Sequence, residues 1–190
     1  MLRLPPAGKN DMIDSDKVKV SCKGGGLLQF YLKPVGGSRC LFNILKSNGH
    51  PIYEVIGQTT AFGCKFFLLD CKQNVIGRIF GVRISGAVRY SISAGGKRIR
   101  VTVNHTATQR PVRIRGKHWH FRGSLLSRSF DILNSAEQIV MTHGKCWDMA
   151  GDCYAVDISD RENVPVCLCL AVIIDCVISS GCTAPLLAGG

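Results

Sequence analysis

Short apolar runs, each closed by a cluster of turn-forming residues, recur from about residue 27 to residue 158. Few of them show the i, i+3, i+4 spacing of an amphipathic helix. Twelve read as strands, centred on 28–32, 41–45, 52–56, 65–70, 75–80, 87–93, 98–103, 112–115, 118–122, 129–133, 138–142 and 154–158. The connections carry hairpin chemistry. Asn48-Gly49 and Gly95-Gly96 tolerate positive φ, and Lys72-Gln73-Asn74 and Asn134-Ser135-Ala136 are polar tips. Strands joined this tightly must pair antiparallel.

An internal repeat runs through the pattern. Aromatic-x-aliphatic triplets begin at Phe42, Phe66, Tyr90, Phe130 and Tyr154, spaced 24, 24, 40 and 24 residues apart. Each unit reads as one hairpin laid beside the last, with an extra hairpin between Arg110 and Arg122 filling the longer gap.

The chain then changes character. Residues 164–174 are uninterruptedly apolar, Asp175 breaks the run, and Cys176, Val177 and Ile178 resume it. Pro165 suits a first helical turn, Asn163 is placed to cap it, and Gly181 with Pro185 supplies a stop, which predicts a helix over 164–180. A helix apolar on every side must be surrounded by protein or lipid. The run is short of the ~20 residues a bilayer core requires. It also carries Asp175, whose insertion near the bilayer centre costs roughly 2.5 to 3.5 kcal/mol. Burial inside the protein is therefore the expectation. An antiparallel barrel of about twelve strands leaves an axial space that must be occupied, and a helix fills it. The expected architecture is mainly β: a closed antiparallel barrel around a central apolar C-terminal helix. It forms one domain over 27–182, with flexible tails at 1–26 and 183–190.

Charge adds a location. The net charge is +11, yet between residues 71 and 130 there is no Asp or Glu, while 13 Lys and Arg fall there. In Arg98-Ile99-Arg100, Val112-Arg113-Ile114-Arg115 and His118-Trp119-His120-Phe121-Arg122, cations alternate with apolar residues, so a strand puts them on opposite faces. With the apolar set inward, Arg98, Arg100, Arg113, Arg115, Lys117 and Arg122 become the candidate anion-binding residues. Arginine suits phosphate through bidentate contacts, and a cluster of them creates a field that attracts it. The plainer explanation is that exposed strands need polar outward residues and this chain uses Arg for them. Nucleic acid is the less favoured ligand, because Trp119 and Phe121 alternate with the cations and so leave the basic face without stacking platforms.

Catalytic signatures are lacking. There is no G-x-S-x-G, and neither Gly95-Gly96-Lys97 nor Gly144-Lys145 has the surroundings of a phosphate-binding loop. The histidines are dispersed, no C-x-x-C occurs among ten cysteines, and neither an enzyme, a metal nor a cofactor is expected. Residues 1–23 lack the apolar core of an export signal, so the cysteines are expected to stay free thiols packed as small apolar groups in a reducing compartment.

Three segments carry a resemblance. Ile52-Tyr53-Glu54-Val55, the stretch from Arg122-Gly123-Ser124 to Phe130-Asp131-Ile132, and Tyr154-Ala155-Val156-Asp157-Ile158 leading to Ile173-Ile174-Asp175 resemble the LURP-one-related proteins of the tubby C-terminal-like superfamily. The likeness covers residues 28–180. It implies a barrel of about twelve strands threaded by its C-terminal helix. It also implies kinship with tubby proteins, which bind phosphoinositides through cationic side chains, and with phospholipid scramblases. No tubby lipid-binding motif aligns, so no residue is carried over. The functional expectation is a cytoplasmic, non-enzymatic binding module, peripheral at the inner membrane surface, whose partners are anionic membrane lipids or phosphoinositide-like head groups. The alternatives are a scramblase-like protein with an inserted C-terminal helix and a nucleic-acid-binding protein.

Overall fold

The structure, a computed structural model, describes residues 27–35, 40–60, 62–84, 87–104, 107, 109–148 and 151–182. The expected tails at 1–26 and 183–190 lie outside the described residues. Twelve strands follow in order: β1 (Leu28–Pro34), β2 (Cys40–Lys46), β3 (Pro51–Thr60), β4 (Gly63–Asp70), β5 (Val75–Ile84), β6 (Ala87–Ala94), β7 (Lys97–Val103), β8 (Val112–Arg115), β9 (His120–Ser124), β10 (Ser129–Leu133), β11 (Ile139–Asp148) and β12 (Gly151–Ile158). Every strand pairs antiparallel with its sequence neighbours. β1 also pairs with β12, Phe30 opposite Val156, which closes the barrel. Closure leaves no strand edge open.

The repeat has a structural meaning. Its aromatic residues Phe42, Phe66, Tyr90, Phe130 and Tyr154 and its aliphatic residues Ile44, Leu68, Ile92, Ile132 and Val156 are all buried on the inner face. They sit on β2, β4, β6, β10 and β12, one strand of each hairpin. The period-2 alternation thus sets which side of every strand meets the core. The turns follow the expected chemistry: Gly49 has φ 78°, while Gly95 and Gly96 have φ 56° and 72°. Positive φ at both central residues is the two-residue hairpin turn whose twist matches that of its strands.

A single 3₁₀ turn, Arg161–Asn163, leads into helix α1 (Val164–Cys182). Its residues from Val166 to Ile174 are fully buried, and it packs on β5, β6, β7 and β12. By length and composition α1 could cross a membrane, yet it is enclosed by the barrel. Leaving for lipid would require the wall to open. Asp160 caps the 3₁₀ turn, its side chain accepting from the Glu162 N–H at 3.0 Å, and Asn163, the expected cap directly before α1, donates from Nδ2 to the second Asp160 oxygen. Asp160 precedes the 3₁₀ turn, and that turn is what the apolar pattern does not reveal.

Room for the helix comes from small residues on the inner wall. A Cβ added at Gly77 would lie 2.8 Å from Cys169 Sγ on α1, 3.1 Å from Leu68 Cβ and 3.3 Å from Ala94 Cβ. Gly77→Val is therefore expected to overpack the helix seat and cost about 1–3 kcal/mol. Thermal unfolding reads this out; a melting temperature equal to wild type would show that α1 is not seated so tightly on β5.

Candidate functional site

The basic residues are distributed by strand alternation and register. On the outer wall, cross-strand partners form rows. Lys65, Phe80, Ser91, Arg100 and Arg115 make one row; Val82, Arg89, Thr102, Arg113 and His120 make the next; Arg78, Ser93 and Arg98 belong to a third. Arg98, Arg100, Arg113 and Arg115 are all exposed, on the adjacent strands β7 and β8. Arg100 and Arg115 are direct partners, which puts like charges at roughly 4.5–5.5 Å between Cβ atoms and destabilises the pair. Among the described residues no carboxylate forms an ion pair with any of these four. An anion laid across β7 and β8 would relieve the repulsion that the fold leaves standing.

The other two candidates already have partners. Arg122 is held by Asp131, its partner on β10, at 2.8 Å, so its charge is compensated. Lys117 turns to the mouth of the barrel where α1 begins. There Lys117 Nζ and Lys97 Nζ both donate to Asn163 Oδ1 at 2.9 Å, and Lys97 also donates to the Glu162 carbonyl at 2.8 Å. Lys117 further rests over the Trp119 ring at 4.5 Å. Burial, then the neighbouring Lys97 ammonium, pull the Lys117 ammonium below its usual pKa. His120 lies 3.2 Å from Glu137, and His118 is exposed. The structure therefore leaves four of the six predicted side chains on adjacent strands with no carboxylate partner among the described residues, while Lys117 is held by Asn163 and Arg122, on neighbouring β9, is paired with Asp131.

A buried polar cluster escaped the sequence reading. His143 on β11 and Asp175 on α1 are both buried, with His143 Nε2 3.1 Å from Asp175 Oδ2. The Arg128 carbonyl lies 2.8 Å from His143 Nδ1, and since a carbonyl only accepts, Nδ1 carries a hydrogen. One further proton then joins Nε2 to Oδ2, so the pair is net neutral whether that proton belongs to imidazolium or carboxyl. The imidazole is stacked on Phe130 and Tyr154, at centroid distances of 4.5 and 5.3 Å. Arg128 folds over Tyr154 and its guanidinium donates to the Tyr154 hydroxyl. Arg128 itself has φ 56°, a conformation that costs a non-glycine residue energy, and in it the carbonyl meets the imidazole. With both ring nitrogens engaged and the pair sealed from solvent, the arrangement locks α1 to the wall and reaches no substrate. Asp175 signalled it by interrupting an apolar helix, but nothing local identified His143 as its partner.

The thiols need one correction. Cys146 and Cys153 form a disulfide, where free cysteines were expected. The reason is that β11 and β12 extend past their predicted ends and make the two residues cross-strand partners, 5.5 Å apart at Cα. Among the described residues no three His, Cys, Asp or Glu side chains gather as a metal site. Cys167 and Cys169 on α1 are free and buried, and burial pushes both thiols up to about 12. They are therefore expected to resist alkylation in the native protein while exposed Cys71 reacts. Mass spectrometry after iodoacetamide treatment checks this, and early modification of Cys169 would show α1 to be accessible. Alkali should also weaken the fold. The unfolded thiols ionise near the ordinary value of 9.0, before the folded ones, so stability falls from about pH 9 towards 12. C167A/C169A should flatten that slope in denaturant titrations.

Comparison with known proteins matches this architecture. The family model described as LURP-one-related matches residues 30–175. An uncharacterised protein of Bacillus subtilis, YxjI, is 28% identical over 138 residues, covering 72% of this chain and 85% of its own. The X-ray structure of a protein from Arabidopsis thaliana superposes with a TM-score of 0.53 at 17% identity, covering 79% of this chain and 91% of that one. At that identity the likeness establishes the fold alone.

Proposed function

This chain belongs to the LURP-one-related family, and on that footing we propose that its barrel is a non-enzymatic module that binds anionic phospholipid head groups, peripherally, on the wall formed by β7 and β8. The observation that carries this reading is the uncompensated set Arg98, Arg100, Arg113 and Arg115, with Arg100 directly opposite Arg115. Guanidinium groups offer paired donors to phosphate oxygens, and a lipid surface presents many such anions at once. The enclosure of α1 favours peripheral attachment over an inserted helix.

Vesicle co-sedimentation tests the reading. The protein should pellet with phosphatidylserine-containing vesicles and not with neutral phosphatidylcholine. Binding should fade as salt shortens the screening length from about 10 Å at 0.1 M to about 3 Å at 1 M. Equal pelleting with neutral and anionic vesicles, or none with either, would sink the proposal.

A further inference from the structure

The wall beside the arginines is apolar where strand alternation calls for polar groups. On β5 the outward positions after Arg78 are Phe80, Val82 and Ile84, exposed by 47%, 53% and 42%. Phe62, in the turn between β3 and β4, is 84% exposed. Its carbonyl accepts from the Arg83 N–H at 3.0 Å, which lays that turn against the end of β5. Phe62 and Val82 also border an open groove of about 310 Å³ shared with Lys65. Single exposed apolar residues are ordinary, but a contiguous set marks a contact surface.

Cations flank this stripe on both sides. Lys65 on β4 sits opposite Phe80, its ammonium 5.7 Å from the ring centre, and Arg89 on β6 sits opposite Val82. Arg100 lies in the same row as Phe80, two strands away and so at roughly 10 Å. A barrel wall is convex, so when β5 is the line of contact with a plane, β4 on one side and β6 to β8 on the other recede from it. An apolar crest with receding cations on each side has the layered chemistry of an anionic bilayer: acyl chains below, phosphates above. An acidic protein surface would meet the arginines but give the crest nothing apolar.

We infer that Phe62, Phe80, Val82 and Ile84 form a keel that enters the acyl region of an anionic bilayer, while Lys65, Arg89 and the β7–β8 arginines hold the head groups on either side. The inference rests on the lipid reading above and adds to it the depth and orientation of docking.

The test uses the full chain and phosphatidylserine–phosphatidylcholine vesicles. F80S/V82S is expected to lower vesicle partitioning roughly tenfold or more, since it removes apolar burial while leaving every cation in place. Phe62→Trp supplies a reporter at a position too exposed to affect folding. Its added fluorescence, measured against the wild-type background of Trp119 and Trp147, should be quenched by lipids brominated on their acyl chains. If wild type binds anionic vesicles while F80S/V82S binds equally and the added indole of Phe62→Trp is unquenched, the keel is refuted and head-group binding stands. If wild type binds no vesicle, both readings fall. A concentration-dependent dimer that F80S/V82S abolishes, without quenching by brominated lipid, would assign the stripe to a second copy of this chain and overturn the bilayer assignment. Should F80S/V82S fail to fold, quenching of the Phe62→Trp variant decides alone.

Discussion

Replacing His143 with leucine is expected to lower the unfolding free energy by about 1–3 kcal/mol, the cost of leaving a buried polar group without its hydrogen-bond partner. Asp175 is only 1% exposed and its Oδ1 already lacks a hydrogen-bond partner among the described residues, so loss of His143 Nε2 removes the hydrogen bond that Oδ2 makes. Lost stacking against Phe130 and Tyr154 adds to the effect, by about 0.5–1.5 kcal/mol for each such pair. Against a typical total of about 5–15 kcal/mol, this is a large fraction of what holds the barrel closed on its helix. Two companions separate pairing from packing. Asp175→Asn keeps the shape and can donate from its amide to Nε2, so it should cost much less. H143L/D175L removes both polar groups and should recover a good part of the single-variant loss. Denaturant midpoints for these proteins, with Asp175→Leu to complete the cycle, decide the matter. A His143→Leu loss below about 1 kcal/mol, or a double variant as weak as the sum of the singles, would mean that the pair does not hold α1 in place.

Serine at Arg98, Arg100, Arg113 and Arg115 together should reduce binding to anionic vesicles by about a thousandfold. Each basic residue near an anionic surface is worth about 1 kcal/mol and each 1.4 kcal/mol is a factor of ten. Single replacements should cost about fivefold each by the same scale. Arg122→Ser should leave vesicle binding near wild type, because Asp131 already neutralises that charge, and Lys97→Ser and Lys117→Ser should cost less than any of the four, because Asn163 holds both ammonium groups at the mouth of the barrel. The fourfold variant should be at least as stable as wild type, since it removes the like-charge contact between Arg100 and Arg115. Vesicle titration beside thermal unfolding measures both. Undiminished binding by the fourfold variant would remove the β7–β8 wall from the function, and a marked fall in stability would show these arginines to be structural.

Much of this molecule is legible in its order of residues, and the places where that fails share a cause. The repeat at Phe42, Phe66, Tyr90, Phe130 and Tyr154 was legible as a series of hairpins, and the structure adds that all five rings face inward, because in a strand the side of a residue follows from its immediate neighbours. The same rule turned Arg98, Arg100, Arg113 and Arg115 outward. Strand ends were less legible. β9 runs from His120 to Ser124 rather than over 118–122, and β11 continues to Asp148, since ladder partners decide where a strand stops.

The linear pattern by itself determined a closed set of antiparallel hairpins, an apolar helix needing cover, and a positive charge confined to one stretch of chain. Folding alone decided how those cations are engaged: Arg122 met the carboxylate of Asp131, Lys117 and Lys97 met the amide of Asn163, and Arg128 was drawn onto Tyr154. It also joined Asp175 to His143 across 32 residues and Cys146 to Cys153 across a hairpin. Periodicity reports a residue's side through bonds to its neighbours, whereas a partner is chosen by register and closure, which bring distant residues together through space.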